Sequence, residues 1–250
     1  MTQLRLPEFA LRMGDNCLIL GQRLGAWCGH APVLEEDIAL ANVALDLIGQ
    51  AKLWLSYAGE LEGKGRSADD LAFLRDAGDF RNSLLVEQPN GDYAQTLVRQ
   101  FLFDAWHLPM LEGLSNSSDP QVGAIAQKAA KEAAYHLDRS TDLIIRLGDG
   151  SEESHDRMQA ALDALWPFAG DLLNADAVDD ALARAGVAPD LADIRQRWLD
   201  YVGRALEAAT LVAPQGAFEE GGKHGRHSGE LGHILAELQF LQRTYPGAQW

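Results

Sequence analysis

Asp104 and His136 stand in two helical stripes at places where apolar residues are expected. Leu97, Phe101, Leu108 and Leu111 recur at helical spacing around Asp104, and Val122, Ala126, Ala129, Ala133, Leu143 and Leu147 do so around His136. A buried carboxylate or imidazole costs several kcal/mol unless it is paired, hydrogen-bonded or metal-bound. Two such groups at core positions point either to a working active site inside a helix bundle or to the remains of one. The chemistry at issue is that of a diiron centre. Helix bundles hold two irons with two single carboxylates and two Glu-x-x-His pairs, because residues i and i+3 project to the same side of a helix. Carboxylates offset the charge of the metals and imidazoles complete the ligation, so a count of donors is a sharp test.

The count comes out short. Asp104-Ala105-Trp106-His107 is the best-placed carboxylate and histidine pair, and the plainer reading is that Asp104 is satisfied by a buried partner while His107 points elsewhere. In Lys131-Glu132-Ala133-Ala134-Tyr135-His136, alanine stands three residues before the histidine where a carboxylate would complete a pair, and Glu132 stands one place too early. Literal Glu-x-x-His strings occur at Glu152 to His155 and at Glu230 to His233. Each begins a helix beside glycines, so exposed end residues are expected there. The polar row Asn42, Asp46 and Gln50 holds poor iron ligands and suits a hydrogen-bonded seam or a partner-facing edge.

The elements that must position these residues are helical. The pattern predicts helices over 13–27, 32–61, 93–114, a stretch capped at Ser118-Asp119-Pro120 and ending at Gly148, 154–173, a short 176–185, a segment capped by Asp190, and 229–245. Gly63 to Asp79 is a polar connector with a short turn, Glu87 to Asp92 is a turn, and Val212 to Ser228 is a Gly-rich loop. In the second segment Leu34, Ile38, Ala41, Leu45, Ile48 and Leu55 form one apolar face and Leu40, Val43, Leu47, Ala51, Trp54 and Ala58 another, which predicts a central, enclosed helix. The expected fold is all-α, an antiparallel helix bundle in one domain spanning 1–250.

Composition removes whole classes of function. A formal charge of −16, from 37 acidic and 21 basic side chains, disfavours nucleic acid and anionic membranes as partners. Nowhere do 18 apolar residues run without a charge, and residues 1–12 lack the apolar core of a signal peptide, so neither export nor membrane spanning is expected. Cys17 and Cys28 form no disulfide framework, and the cytoplasm is the expected compartment. Of the six tryptophans, five fall in apolar helical patterns, whereas Trp250 is terminal and suits docking. Lys223-His224-Gly225-Arg226-His227 is the one basic cluster, suited to an acidic partner face or a CoA phosphate, or else a solvated connector.

The segments Leu45-Asp46-Leu47-Ile48-Gly49-Gln50-Ala51, Glu87-Gln88-Pro89-Asn90-Gly91, Asp104-Ala105-Trp106-His107, Lys131 to His136 and Pro246-Gly247-Ala248-Gln249-Trp250 carry a resemblance nearly end to end. Through them the chain resembles the phenylacetic acid catabolic protein family, and within it the structural C-type subunits of ring-1,2-phenylacetyl-CoA epoxidases. The resemblance implies a ferritin-like fold with additional helices. It also implies a paralogous catalytic subunit, the A-type chain of the epoxidase, that holds the diiron centre. Laid on this chain, the ligand pattern of that paralogue falls on Cys17 in the first helix, Leu47 and Gln50 in the second, Asp104 in the third, and Ala133 and His136 in the fourth. Only Asp104 and His136 keep the ligand type. The resemblance therefore implies a chain with no metal, no cofactor and no catalytic residue of its own, in which these are vestigial positions and Asp104 and His136 are hydrogen-bonded in the interior. The implied role is to stabilise and position the catalytic subunit in aerobic phenylacetate degradation. An NADPH-dependent reductase is a further candidate partner, and a homodimer is open to the isolated chain. The competing expectations are a diiron monooxygenase built from Asp46, Asp104, His107, Glu132 and His136, and a CoA-ester binding module resting on the loop Lys223 to His227.

Overall fold

The structure, a computed structural model, describes residues 5–248. Among these residues the regular elements are helices, and none is a strand. In chain order they are α1 (Leu6–Gly25), α2 (Leu34–Glu62), α3 (Ala68–Phe73), α4 (Leu84–Glu87), α5 (Tyr93–Leu114), α6 (Pro120–Gly148), α7 (Glu152–Leu165), α8 (Gly170–Leu173), α9 (Ala177–Arg184), α10 (Leu191–Ala208), α11 (Gly229–Leu238) and α12 (Phe240–Thr244). The chain packs as two compact units, one of Met1–Pro89 with Gly221–Trp250 and one of Asn90–Glu220. Trp250 lies outside the described residues.

The first unit is built on α1 and α2. Gly14 faces Leu55, Cys17 faces Gln50 and Gly21 faces Ala44 and Ile48, so contacts descend α2 as they ascend α1 and the pair is antiparallel. A Cβ added at Gly14 would come within 2.8 Å of the Leu55 side chain, which explains a helix interior glycine here despite its poor propensity. Helix α1 begins at Leu6, seven residues before the predicted start at Met13. Pro7 is tolerated in the first turn, where its missing N–H has no helical partner anyway, and Arg12 pairs with Glu8 one turn back, while Leu6, Phe9 and Ala10 are buried.

Helix α2 corrects the expectation of an enclosed helix. Leu40, Val43, Leu47, Ala51, Trp54 and Ala58 are buried, yet Leu34, Ile38, Leu45 and Ile48 stand 69, 53, 66 and 38% exposed. Two apolar faces did not both find cover within the chain. The last predicted helix is likewise divided at Gln239 into α11 and α12, although the Gln239 N–H still donates to the Leu235 carbonyl, and the Gln239 side-chain amide donates to the carbonyls of Ala72 and Arg75.

The second unit is built on α5 and α6, also antiparallel. Asp104 meets Ser140, and the Ser115 carbonyl accepts from Gln127. Asp119 caps α6 as predicted, accepting from the N–H groups of Gln121 and Val122 with Pro120 following, and Asp92, at the end of the predicted turn, caps α5 by accepting from Gln95 N–H. Trp198 on α10 is fully buried, donates its indole N–H to the Leu102 carbonyl at 2.9 Å and lies against Trp166 with ring centroids 5.1 Å apart. The segment predicted as one helix over 154–173 is broken at Pro167 into α7, a 3₁₀ turn over Trp166–Ala169 and α8, since proline cannot donate to the preceding turn. Of the other tryptophans, Trp54, Trp106 and Trp166 are buried and Trp27 is half-buried.

Candidate functional site

Asp104 and His136 face the α5–α6 core. Asp104 is fully buried, as is His107, and His136 is 1% exposed. Both carboxylate oxygens of Asp104 are occupied: Oδ1 accepts from the Gln100 amide at 2.7 Å and Oδ2 from the Ser140 hydroxyl at 2.9 Å. Gln100 reaches it from one turn back on α5 and Ser140 from one turn beyond His136 on α6, so the pairing follows from helical spacing on both arms of the hairpin. Burial raises the Asp104 carboxyl to about 6, and the charge of His136, the Ser140 and Gln100 hydrogen bonds and the charge of Arg139 limit the rise. Burial presses His107 down to about 3, with the nearby His136 charge adding to the effect. The His107 ring lies among aromatics, 4.8 Å from Phe103 and stacked on Trp106 at 6.0 Å between centroids. His107 thus belongs to the core beside His136 instead of pointing away from it. Ala133, one turn before His136, is fully buried and brings no donor.

In the α1–α2 pair the corresponding positions are neutral. Cys17 and Leu47 are fully buried and Gln50 is 1% exposed, with Cys17 Sγ 3.8 Å from Gln50 Oε1. Cys17 is buried and Cys28 exposed, and neither is half of a disulfide. Along the polar row of α2, Asn42 is exposed, Asp46 half-buried and Gln50 buried.

These residues do not fit a diiron centre. One aspartate, one imidazole, one amide, one thiol and two aliphatic side chains bring a single carboxylate, too few to neutralise or fix two metal ions. Among the described residues no three His, Cys, Asp or Glu side chains gather closely enough to hold a metal ion. The two Glu-x-x-His strings sit in first turns: His155 Nδ1 is 2.8 Å from the Gly148 carbonyl, Glu230 pairs with Arg23 at 2.9 Å, and Glu152 and His233 are exposed.

The most elaborate polar cluster of the first unit was not visible from spacing. Glu87, read as the opening of a turn, ends α4 with its carboxylate fully buried. It accepts from Asn82 Nδ2 at 3.0 Å and from Ser228 N–H at 2.7 Å, and it contacts His227 Nδ1 at 2.8 Å. The other ring nitrogen of His227 lies 3.1 Å from the Phe80 carbonyl, so two acceptors flank the ring and both nitrogens are called on to donate. Burial alone would lower the His227 pKa, but the hydrogen bond and charge of Glu87, the Phe80 carbonyl and the charge of Asp15 outweigh it and raise the pKa. Nearby, Asp15 forms a buried bidentate pair with Arg75, and Arg75 lies 4.2 Å over the Phe80 ring. Lys223 is 7% exposed. Of the cluster expected as an open basic patch or a solvated connector, Lys223 and the His227 ring are therefore drawn into the fold, the latter by the acceptors of Glu87 and Phe80, while His224 and Arg226 stay exposed.

The amino-acid sequence matches the family model described as phenylacetic acid catabolic protein over residues 2–250. It is 51% identical over 247 residues to the C subunit of the 1,2-phenylacetyl-CoA epoxidase of Escherichia coli strain K12, covering 98% of this chain and 99% of that protein. An all-α, ferritin-like fold agrees with that membership, as does the pattern of motifs from Leu45 through His136. On a match of this extent, the chain belongs to the phenylacetic acid catabolic protein family.

Proposed function

We propose that this chain is the structural subunit of a phenylacetyl-CoA epoxidase, catalytically silent itself and serving to stabilise and position a diiron catalytic subunit in aerobic phenylacetate breakdown. The observation that carries the reading is the shortage of carboxylates: Asp104 stands alone, accepting from Gln100 and Ser140, while Ala133 stands where a second carboxylate would flank His136. Identity of 51% to the C subunit of the E. coli epoxidase supports the assignment to that enzyme. In this reading the helical scaffold is kept and its former metal positions are filled by internal hydrogen bonds and aliphatic packing. The chain carries no cofactor, the diiron centre belongs to the partner, and the complex works in the cytoplasm.

Reconstitution tests it. The catalytic subunit is produced with and without this chain, and epoxidation of phenylacetyl-CoA is followed with a competent reductase. The proposal expects a stable complex on size exclusion and epoxidation that requires both chains. Full activity of the catalytic subunit without this chain, or turnover by this chain with the reductase alone, would reject it.

A further inference from the structure

Where α12 packs beside α3, the first unit presents an apolar strip edged with unspent acceptors. Leu74 is 56% exposed, and Phe240, Leu241 and Tyr245 are 60, 45 and 57% exposed. Scattered exposed apolar residues are ordinary, but a contiguous group with polar edges marks a contact surface. The walls of the strip are tied to each other: Gln239 donates to the carbonyls of Ala72 and Arg75, and Arg243 donates to those of Phe73 and Arg75. They enclose a groove of about 490 Å³ whose lining includes Asp69, Asp70, Phe73, Leu74, Gln242 and Tyr245. A second hollow of about 350 Å³, walled by Leu235 and Phe240, shares Arg243 with it.

The polar lining of the groove is one-sided. Arg243 is already matched by Asp76 at 2.9 Å. Asp69 is exposed and meets no donor among the described residues. Asp70 gives Oδ2 to the Ser67 N–H and hydroxyl at 2.8 Å each, which leaves Oδ1 open. Gln242 Oε1 is buried without a donor, and a desolvated acceptor in that state calls for one. Three acceptors, two of them anionic, beside the rings of Phe73 and Tyr245 describe a site for a cation with several donors on an apolar stem. An arginine side chain has that form: five N–H donors in a planar fork, an affinity for carboxylates and aromatic faces, and an aliphatic stem.

We propose that this groove receives an arginine from a short apolar segment of a partner protein, its guanidinium held by Asp69, Asp70 and Gln242 and a neighbouring aliphatic residue of the segment seated in the hollow at Phe240. Two adjoining hollows favour a chain segment over a free small cation, because they take two anchors of one peptide. The charge complementarity is set by the free carboxylates, which repel an acidic partner or an anionic bilayer. The inference goes beyond the scaffold role proposed above and does not rest on it, since every residue it uses belongs to the first unit.

Binding of acetyl-Leu-Arg-Leu amide to the full chain, followed by NMR of the Leu74 and Leu241 methyl groups, tests it. A Kd of about 1 mM or tighter is expected at low salt. The twin peptide with citrulline, which keeps the shape of arginine without its charge, should bind at least about 10-fold more weakly. Acetylarginine amide, which lacks the flanking anchors, should bind a few-fold more weakly than the peptide. Asp69→Asn leaves the Ser67–Asp70 cap intact and is expected to weaken the peptide by about 3–5-fold with circular dichroism unchanged. Gln242→Leu should weaken it to a similar extent and Gln242→Glu should tighten it. A peptide that does not bind, a citrulline twin that binds as well, an arginine amide as tight as the peptide, or an Asp69→Asn chain of undiminished affinity would each overturn the proposal. Binding seen only after residues 249–250 are removed would show the groove filled from within and would overturn it too.

Discussion

The two helical units handle buried acids in opposite ways. In the first, Asp15 is matched by Arg75 and Glu87 by His227, each acid meeting a cation within hydrogen-bonding distance. In the second, Asp104 is equally buried, but its hydrogen bonds come from an amide and a hydroxyl, and its carboxyl is raised to about 6. The charges of His136 and Arg139 hold the rise at Asp104 in check, but burial still outweighs them. At the α1–α2 positions Cys17, Leu47 and Gln50 are buried and bring no charge to the interior. Asp15 is held by a bidentate ion pair, whereas burial outweighs the charges and hydrogen bonds around Asp104, and that difference separates the two units.

The sharpest way to break this contrast is to strand an acid in the first unit. Arg75→Met leaves Asp15 without its cation and is expected to cost about 3–5 kcal/mol in chemical denaturation. A loss under about 1 kcal/mol would mean that Asp15 and Asp104 are not different in kind. A smaller effect of opposite sign is expected in the second unit. Asp104 is raised from 3.8 to about 6, so the folded state holds its proton more tightly than the unfolded chain, and its ionised form costs stability above pH 6 that returns as the pH falls toward 4. Asp104→Asn is therefore expected to stabilise the protein by about 1–2 kcal/mol at pH 8 relative to wild type, with the gain vanishing near pH 4. Ser140 keeps a partner because its hydroxyl can turn to accept from the new amide.

His227 gives a third handle, with its pKa raised. Its contribution is complete below the unfolded value near 6.5 and is lost as the pH rises through the higher folded value. Hydrogen exchange at the Ser228 amide, corrected for intrinsic rate, should accelerate at alkaline pH in the wild type and lose that pH dependence in His227→Gln. The smallest effect is expected at Cys17→Ser, within about 1 kcal/mol, because the contact between the thiol and Gln50 is long and a hydroxyl can donate to the same oxygen. A large loss there would show that the neutral α1–α2 positions do more than fill space.

Much of this architecture was legible in the sequence because it rests on local rules. The turn before Tyr93, the cap at Asp119-Pro120, the long apolar periods of α2, α5 and α6 and the misplaced polarity of Asp104 and His136 all follow from local sequence. What was not legible depends on distant partners. Glu87 looks like the edge of a turn until Ser228 and His227, about 140 residues further on, supply its donors. Gln239 gives no sign that its side chain will cap the carbonyls of Ala72 and Arg75, more than 160 residues back. The face of α2 was misjudged for the same reason, since periodicity marks a surface as apolar but does not say whether this chain or another covers it. In the candidate site the shortage of ligands was countable from residue types, while the use of Gln100 and Ser140 to close Asp104 required the α5–α6 register.

The central claim is that this chain has lost the means to hold a diiron centre. Iron content of the full chain, purified alone after expression in iron-rich medium and assayed with reductase and oxygen, tests it most directly. The account predicts iron below about a tenth of an equivalent and no oxygen consumption above background. About two tightly held irons per chain with phenylacetyl-CoA-dependent oxygen uptake would contradict it.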